Sequence, residues 1–175
     1  MTDFRYSVRP LREKDLNEWL RLRKCLWDAT SETDHKREMV EIIDHPDSQF
    51  VLVAEHEAGK LIGFLEVSIR PFVEDCETDH VGYLEGWYVQ PEVRGRGIGR
   101  ELVRIAEQWA REKGCSAVDL STFRDVPWNG PFYRKLGFRD LSTEEWTEDM
   151  PKLRAIEIAQ GLTPDARVFM RRELT

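Results

Sequence analysis
A chain of 175 residues is long enough for one domain with a real hydrophobic core. Hydrophobic residues make up 41% and charged residues 34%, the balance of a globular protein with a well-solvated surface. The net charge of −7 argues against a nucleic-acid partner and suits a cationic one.

The alternating "YSVRP" predicts an edge strand over residues 6–10. In "LREKDLNEWLRLRKCLW" the residues Leu16, Trp19, Leu20, Leu26 and Trp27 recur near the helical period, which predicts a helix within 11–27. A second helix is expected over 34–45, with Asp34 as its N-cap and Pro46 just past its end. "FVLVAE" reads as a strand, "HEAG" as a turn and "KLIGFLEVSIR" as a longer strand. The acidic segment 71–80 reads as a loop. "VGYLEGWYVQP" returns as a strand that stops at Pro91. "GRELVRIAEQWAREKG" is an amphipathic helix with Leu102, Ile105, Ala106, Trp109 and Ala110 on one face and Gly114 at its C-terminal end. "CSAVDLSTF" is a buried-type strand. "NGPFYRKLGF" is a short helix that turns into the strand "FRDL". A helix around 150–161 and a final strand "ARVFMRREL" complete the chain.

No repeat or low-complexity linker interrupts this order, so a single domain over residues 1–175 is expected. The class is an α/β mixture: an antiparallel meander first, then a helical crossover. Cys25, Cys76 and Cys115 lie far apart without CxxC or Cys/His spacing, so neither a disulfide framework nor a metal site is expected. The opening "MTDFRYSVRP" lacks the apolar core of a signal peptide, and no run is long enough to span a membrane. A cytoplasmic protein without membrane attachment is the expectation.

The segment "VRGRGIG", residues 93–99, opens the central helix. A helix N-terminus offers unpaired N–H groups and the positive end of the dipole, and glycines let that backbone approach a phosphate closely. Arg94 and Arg96 can add charge-assisted hydrogen bonds. These features point to a pyrophosphate site rather than a plain loop. No "GK[ST]" follows, which excludes a Walker loop, and a meander in front fits a Rossmann turn poorly.

"RGRGIG" resembles the R/Q-x-x-G-x-G/A signature of the GNAT acyltransferase superfamily, and "NGPFYRKLGF" resembles that family's N-x-x-F/Y-Y segment. The resemblance covers nearly the whole chain and implies the GNAT fold, a central mixed, largely antiparallel twisted sheet flanked by helices. It implies acetyl-coenzyme A as cosubstrate. Its pyrophosphate would be held by the backbone of Arg94, Gly95, Arg96, Gly97, Ile98 and Gly99, and its thioester and pantetheine by the backbone at Tyr88 and Val89. Asn129 either hydrogen-bonds the pantetheine arm or caps its helix. Tyr133 is implied as the acid that protonates the leaving thiolate, or else packs in the core with Phe132.

The acceptor must be read elsewhere. Glu85 stands on an otherwise apolar strand beside Gly86. It either receives an ammonium and its proton or forms a structural salt bridge. "WLRLRKCLW", "HKREM", "EVSIR" and "VGYLEGWYV" look like the aminoglycoside 6′-N-acetyltransferases, in which the matching glutamate belongs to the aminoglycoside site. Trp27 and Trp87 are then pocket walls or core residues, and His80 a possible contact. Glu74, Asp75, Glu77 and Asp79 would give a negative rim.

The tyrosine motif and the tail are more typical of general GNAT members. Asp119 or Ser121 would stand in for an acid that the resistance enzymes place on the fifth strand, or else Asp119 faces solvent. The expected activity is acetyl transfer to an aminoglycoside, at its 6′-amine, conferring antibiotic resistance. The alternatives are another amine (a polyamine, an amino acid or a protein N-terminus) and a non-catalytic coenzyme A-binding module. A homodimer is implied by the resemblance.

Overall fold
The computed structural model describes residues 4–71 and 80–174. The acidic residues Glu74, Asp75, Glu77 and Asp79 and the thiol Cys76 lie outside them.

The elements follow in the order β1 (Tyr6–Pro10), α1 (Leu16–Leu26), α2 (Glu32–Asp44), β2 (Gln49–His56), β3 (Leu61–Pro71), β4 (His80–Val89) and α3 (Ile98–Glu112). Then come β5 (Ala117–Phe123), α4 (Gly130–Lys135), β6 (Arg139–Asp140), α5 (Asp149–Ala159) and β7 (Arg167–Glu173). Seven strands form one sheet in the order β1-β2-β3-β4-β5-β7-β6. The pairs β1/β2, β2/β3, β5/β7 and β6/β7 are antiparallel, and β4/β5 is parallel. A parallel pair needs a long crossover, and α3 supplies it. The expected mixed, largely antiparallel sheet is therefore what forms. The parallel ladder runs from Val81↔Ala117 to Leu84↔Leu120, while β4 continues to Val89 and β5 to Phe123.

One correction concerns α2. Ser31, not Asp34, is the N-cap: its Oγ accepts from the Asp34 N–H at 3.1 Å, and the helix starts at Glu32. A serine in extended backbone leaves its hydroxyl free to reach the third helical N–H, and Asp34 is that third residue. His80, expected just before its strand, is the first residue of β4.

The chain divides into two compact units, Met1–Ser68 with Glu85–Gln108, and Ile69–Leu84 with Trp109–Thr175. In the first, Trp19 and Leu22 of α1 and Met39 of α2 close over Val51 and Val53 of β2 and Leu61 and Phe64 of β3. Leu26, Trp27 and Tyr88 border that core. Four consecutive buried residues, Val51 to Ala54, mark β2 as covered on both faces. In the second unit, Val118 and Leu120 of β5 and Val168 and Met170 of β7 are buried. A smaller cluster joins Leu141, Met150 and Phe169, with Trp146 and Leu153 packed against it.

Helix α3 buries Leu102, Val103, Ala106, Trp109 and Ala110, so Val103 joins the expected face and Ile105 is only half-buried. It ends where expected. Gly114 takes φ +80°, and the Cys115 N–H returns to the Ala110 carbonyl at 2.9 Å.

Candidate active site
β4 ends at Val89, a single turn over Pro91–Val93 follows, and α3 opens at Ile98. Between them Gly95 and Gly97 hold φ of 77° and 88°, a backbone that a side chain would strain. Arg94 donates Nε to the Val89 carbonyl at 2.9 Å, and its guanidinium lies 5.6 Å from the centre of the Tyr88 ring. Arg96 lies 4.4 Å from the Phe4 ring centre. Trp87 packs on the first turn of α3, where a Cβ on Gly99 would come within 2.8 Å of its ring. Tyr6 Oη donates to Glu101 Oε2 at 3.1 Å on the same turn, and burial with Glu101 beside it raises the Tyr6 pKa.

The first N–H groups of a helix have no acceptor within it. Here a fifteen-residue helix presents them behind two left-handed glycines, with two exposed arginines alongside. This arrangement fits a phosphate or pyrophosphate.

In the same unit, exposed Glu85 accepts a hydrogen bond of 2.5 Å from Ser68 Oγ of β3. Beside Glu85, Gly86 leaves room for Trp27: a Cβ there would stand 2.4 Å from Trp27 Cζ2. Trp27 caps the end of α1 and meets Phe64 edge-on at 6.0 Å between ring centres. The sequence reading missed Ser68, Glu66 and Arg23. Glu66 is 4% exposed, and its Oε1 accepts from Trp19 Nε1 at 2.9 Å and Arg23 Nη1 at 2.7 Å. Burial pushes the Glu66 carboxyl up to about 7; Arg23 and Trp19 pull it down, and the charge of Glu85 adds to the rise.

The remaining expected residues belong to the other unit. Asp119 is fully buried on β5, and both its oxygens accept from Arg171 of β7 at 2.7 Å. That internal ion pair, rather than an open acid, is where the structure places it. Ser121 Oγ donates to Glu157 Oε1 at 2.5 Å, and Arg167 donates to both groups.

The Asn129 side chain makes no capping bond, which removes the helix-cap alternative, although its carbonyl accepts from the Tyr133 N–H at 3.0 Å. Gly130 is forced: a Cβ would lie 2.2 Å from the Arg124 carbonyl oxygen. Tyr133 is 6% exposed and is gripped edge-on by Phe132 at 5.3 Å and Phe138 at 5.5 Å.

Among the described residues no group of three or more His, Cys, Asp or Glu is placed to hold a metal ion, and no helix is long and apolar enough to cross a membrane.

The glycine turn at the head of a crossover helix, on a mixed seven-stranded sheet, fits an acyl-group transferase. The chain belongs to the acetyltransferase (GNAT) family, whose model matches residues 19–138. Within that family it is 40% identical over 111 residues to an aminoglycoside N(6′)-acetyltransferase type 1 of Klebsiella aerogenes, covering 62% of this chain and 73% of that one. The crystal structure of the aminoglycoside antibiotic 6′-N-acetyltransferase AAC(6′)-IG from Acinetobacter haemolyticus superposes with a TM-score of 0.68. Identity there is 34%, over 78% of this chain and 93% of that one. AAC(6′)-Iy, solved with the bisubstrate analogue CoA-S-monomethyl-acetylneamine, matches at 26% identity and TM-score 0.60 over 91% of both chains.

Proposed function
We propose that this chain transfers the acetyl group of acetyl-coenzyme A to an aminoglycoside amine, the 6′-amine, and so confers resistance. The observation behind this reading is the pairing, within one compact unit, of the glycine turn with the Ser68–Glu85 corner. The 40% identity to an aminoglycoside N(6′)-acetyltransferase supports the choice of acceptor.

The pyrophosphate of the cosubstrate would rest on the N–H groups of Gly95 to Gly99, with Arg94 and Arg96 as counter-charges. Val89 and Tyr88 contribute backbone to the pantetheine and thioester. Glu85 attracts the acceptor ammonium and takes its proton, leaving the amine lone pair free to attack the thioester carbonyl. Ser68, donating to one Glu85 oxygen, fixes that carboxylate. Trp27 and Trp87 wall the acceptor. Tyr133 returns its hydroxyl proton to the departing thiolate, and Asn129 holds the pantetheine arm. Asp119 has no part in this scheme, because Arg171 occupies its carboxylate. The enzyme works in the cytoplasm, as a homodimer.

A thiol-release assay with kanamycin and tobramycin tests the reading, with mass spectrometry locating the acetyl group. Turnover with acetylation at the 6′-amine is expected. A panel of polyamines, amino acids and peptides runs beside it. The N-x-x-F/Y-Y-like segment at Asn129 and Tyr133 favours such acceptors as a second reading, and turnover confined to that panel would replace the first.

A further inference from the structure
Behind Glu85 and Trp27 lies a polar hub that the scheme above does not use. Arg23 of α1 is 2% exposed. Its Nη1 donates to Glu66 Oε1 at 2.7 Å, its Nη2 pairs with Glu38 of α2, and its Nε donates to His35 Nδ1 at 3.3 Å. The guanidinium also lies 4.8 Å from the centre of the Trp27 ring and 5.6 Å from that of Trp19. His35 of α2 is fully buried and turns Nε2 to the Trp27 carbonyl at 3.2 Å. A carbonyl only accepts, so Nε2 carries the hydrogen and Nδ1 accepts from Arg23.

The hub therefore holds Trp27 twice, once by its ring and once by its backbone. Trp27 is the C-cap of α1: its N–H still donates to the Arg23 carbonyl at 2.9 Å, but its own φ of −119° and ψ of 68° have left the helix, so the direction of its ring is set by what packs on it. Burying a guanidinium and a carboxylate is costly, and well-packed apolar residues often serve stability as well or better. The hub's use is more readily found in what it orients. The Trp27 ring fills the space that Gly86 leaves open, next to Glu85.

We propose that Arg23 and His35 are positioning residues of the acceptor site, holding the Trp27 ring against Gly86 and so setting the wall beside Glu85. This rests on the reading that the acceptor amine sits at Glu85. Replacing Arg23 would strand the buried Glu66 carboxylate, so the hub is best tested through His35.

Steady-state kinetics with kanamycin would compare the full chain with His35→Leu, His35→Gln, Trp27→Ala and the double variant His35→Leu/Trp27→Ala. His35→Leu should raise the kanamycin KM about tenfold and leave the KM for acetyl-coenzyme A unchanged. His35→Gln, whose amide can donate to the Trp27 carbonyl and accept from Arg23, should restore most of that loss. The double variant should be no worse than Trp27→Ala alone. Additive effects in the double variant, or equal losses for His35→Gln and His35→Leu, overturn the proposal while leaving the acceptor reading intact. Wild-type enzyme that acetylates no aminoglycoside overturns both.

Discussion
Arg94 sends its Nε back across the glycine turn to the carbonyl of Val89, 2.9 Å away. The side chain thus ties the start of the turn to the end of β4. Removing it loses a charge-assisted hydrogen bond worth about 1.5–3 kcal/mol, as well as a counter-charge for phosphate. Arg94→Ala should weaken coenzyme A binding by about tenfold or more, read by calorimetry. The kcat at saturating acetyl-coenzyme A should change far less. Unaltered affinity would show that the turn forms and binds without this latch.

Gly86 is open only because Trp27 occupies its missing side chain. In Gly86→Ala the new Cβ would meet Trp27 Cζ2 at 2.4 Å and Leu26 Cδ2 at 3.2 Å, so the tryptophan must move. Overpacking of this kind costs about 1–3 kcal/mol, and the melting temperature should fall by about 5 °C. The acceptor KM should rise with it. A rise in KM without thermal loss would mean that the ring moves freely.

Tyr133→Phe preserves the ring that packs between Phe132 and Phe138 and removes only the hydroxyl. If that hydroxyl protonates the thiolate, kcat should drop by about a hundredfold with the KM for acetyl-coenzyme A little changed. Wild-type kinetics in this variant would return Tyr133 to a packing role.

The order of strands and helices was legible because each element declares its period: the 3.6-residue spacing in 16–27 and 99–112, and the apolar runs of the strands. The start of α2 was not, because Ser31 and Asp34 are both good capping residues and only backbone geometry chooses between them. At the site, the glycine turn and Glu85 could be found because glycine clusters and a lone acid in an apolar strand are conspicuous. Arg23 was passed over because "LRLRK" looks like a helix with solvated arginines. Its partners Glu66 and His35 are 43 and 12 residues away. One hint was available: Trp19, Arg23 and Trp27 are spaced by four, which puts the arginine on the apolar stripe.

Glu66 gives the fold a pH dependence. Burial raises its pKa to about 7 from an ordinary 4.5, so the folded chain keeps a proton that the unfolded chain releases. Its stabilising contribution is complete below about pH 4.5 and declines as the pH rises toward 7. The groups that set this balance are Arg23 and Trp19 of α1 and Glu85 of β4, with Glu38 reaching it through Arg23. Glu66→Gln removes the titration. Urea midpoints measured from pH 5 to 8 should therefore show the wild type losing ground to the variant up to about pH 7 and holding level above it. Parallel curves would contradict this assignment.

The Asp119–Arg171 pair has a different consequence, for how β5 and β7 find each other. They stand directly opposite in an antiparallel ladder flanked by Leu120↔Met170 and Val118↔Arg172. Shifting one strand by a single residue would turn every side chain to the wrong face of the sheet. A two-residue shift, which preserves the faces, would set Asp119 against either Phe169 or Glu173, leaving a buried carboxylate beside an apolar ring or a like charge. The aliphatic residues alone would tolerate that misalignment. The buried Asp119–Arg171 link makes it expensive, and so acts as a proofreading mark on the pairing of these two strands.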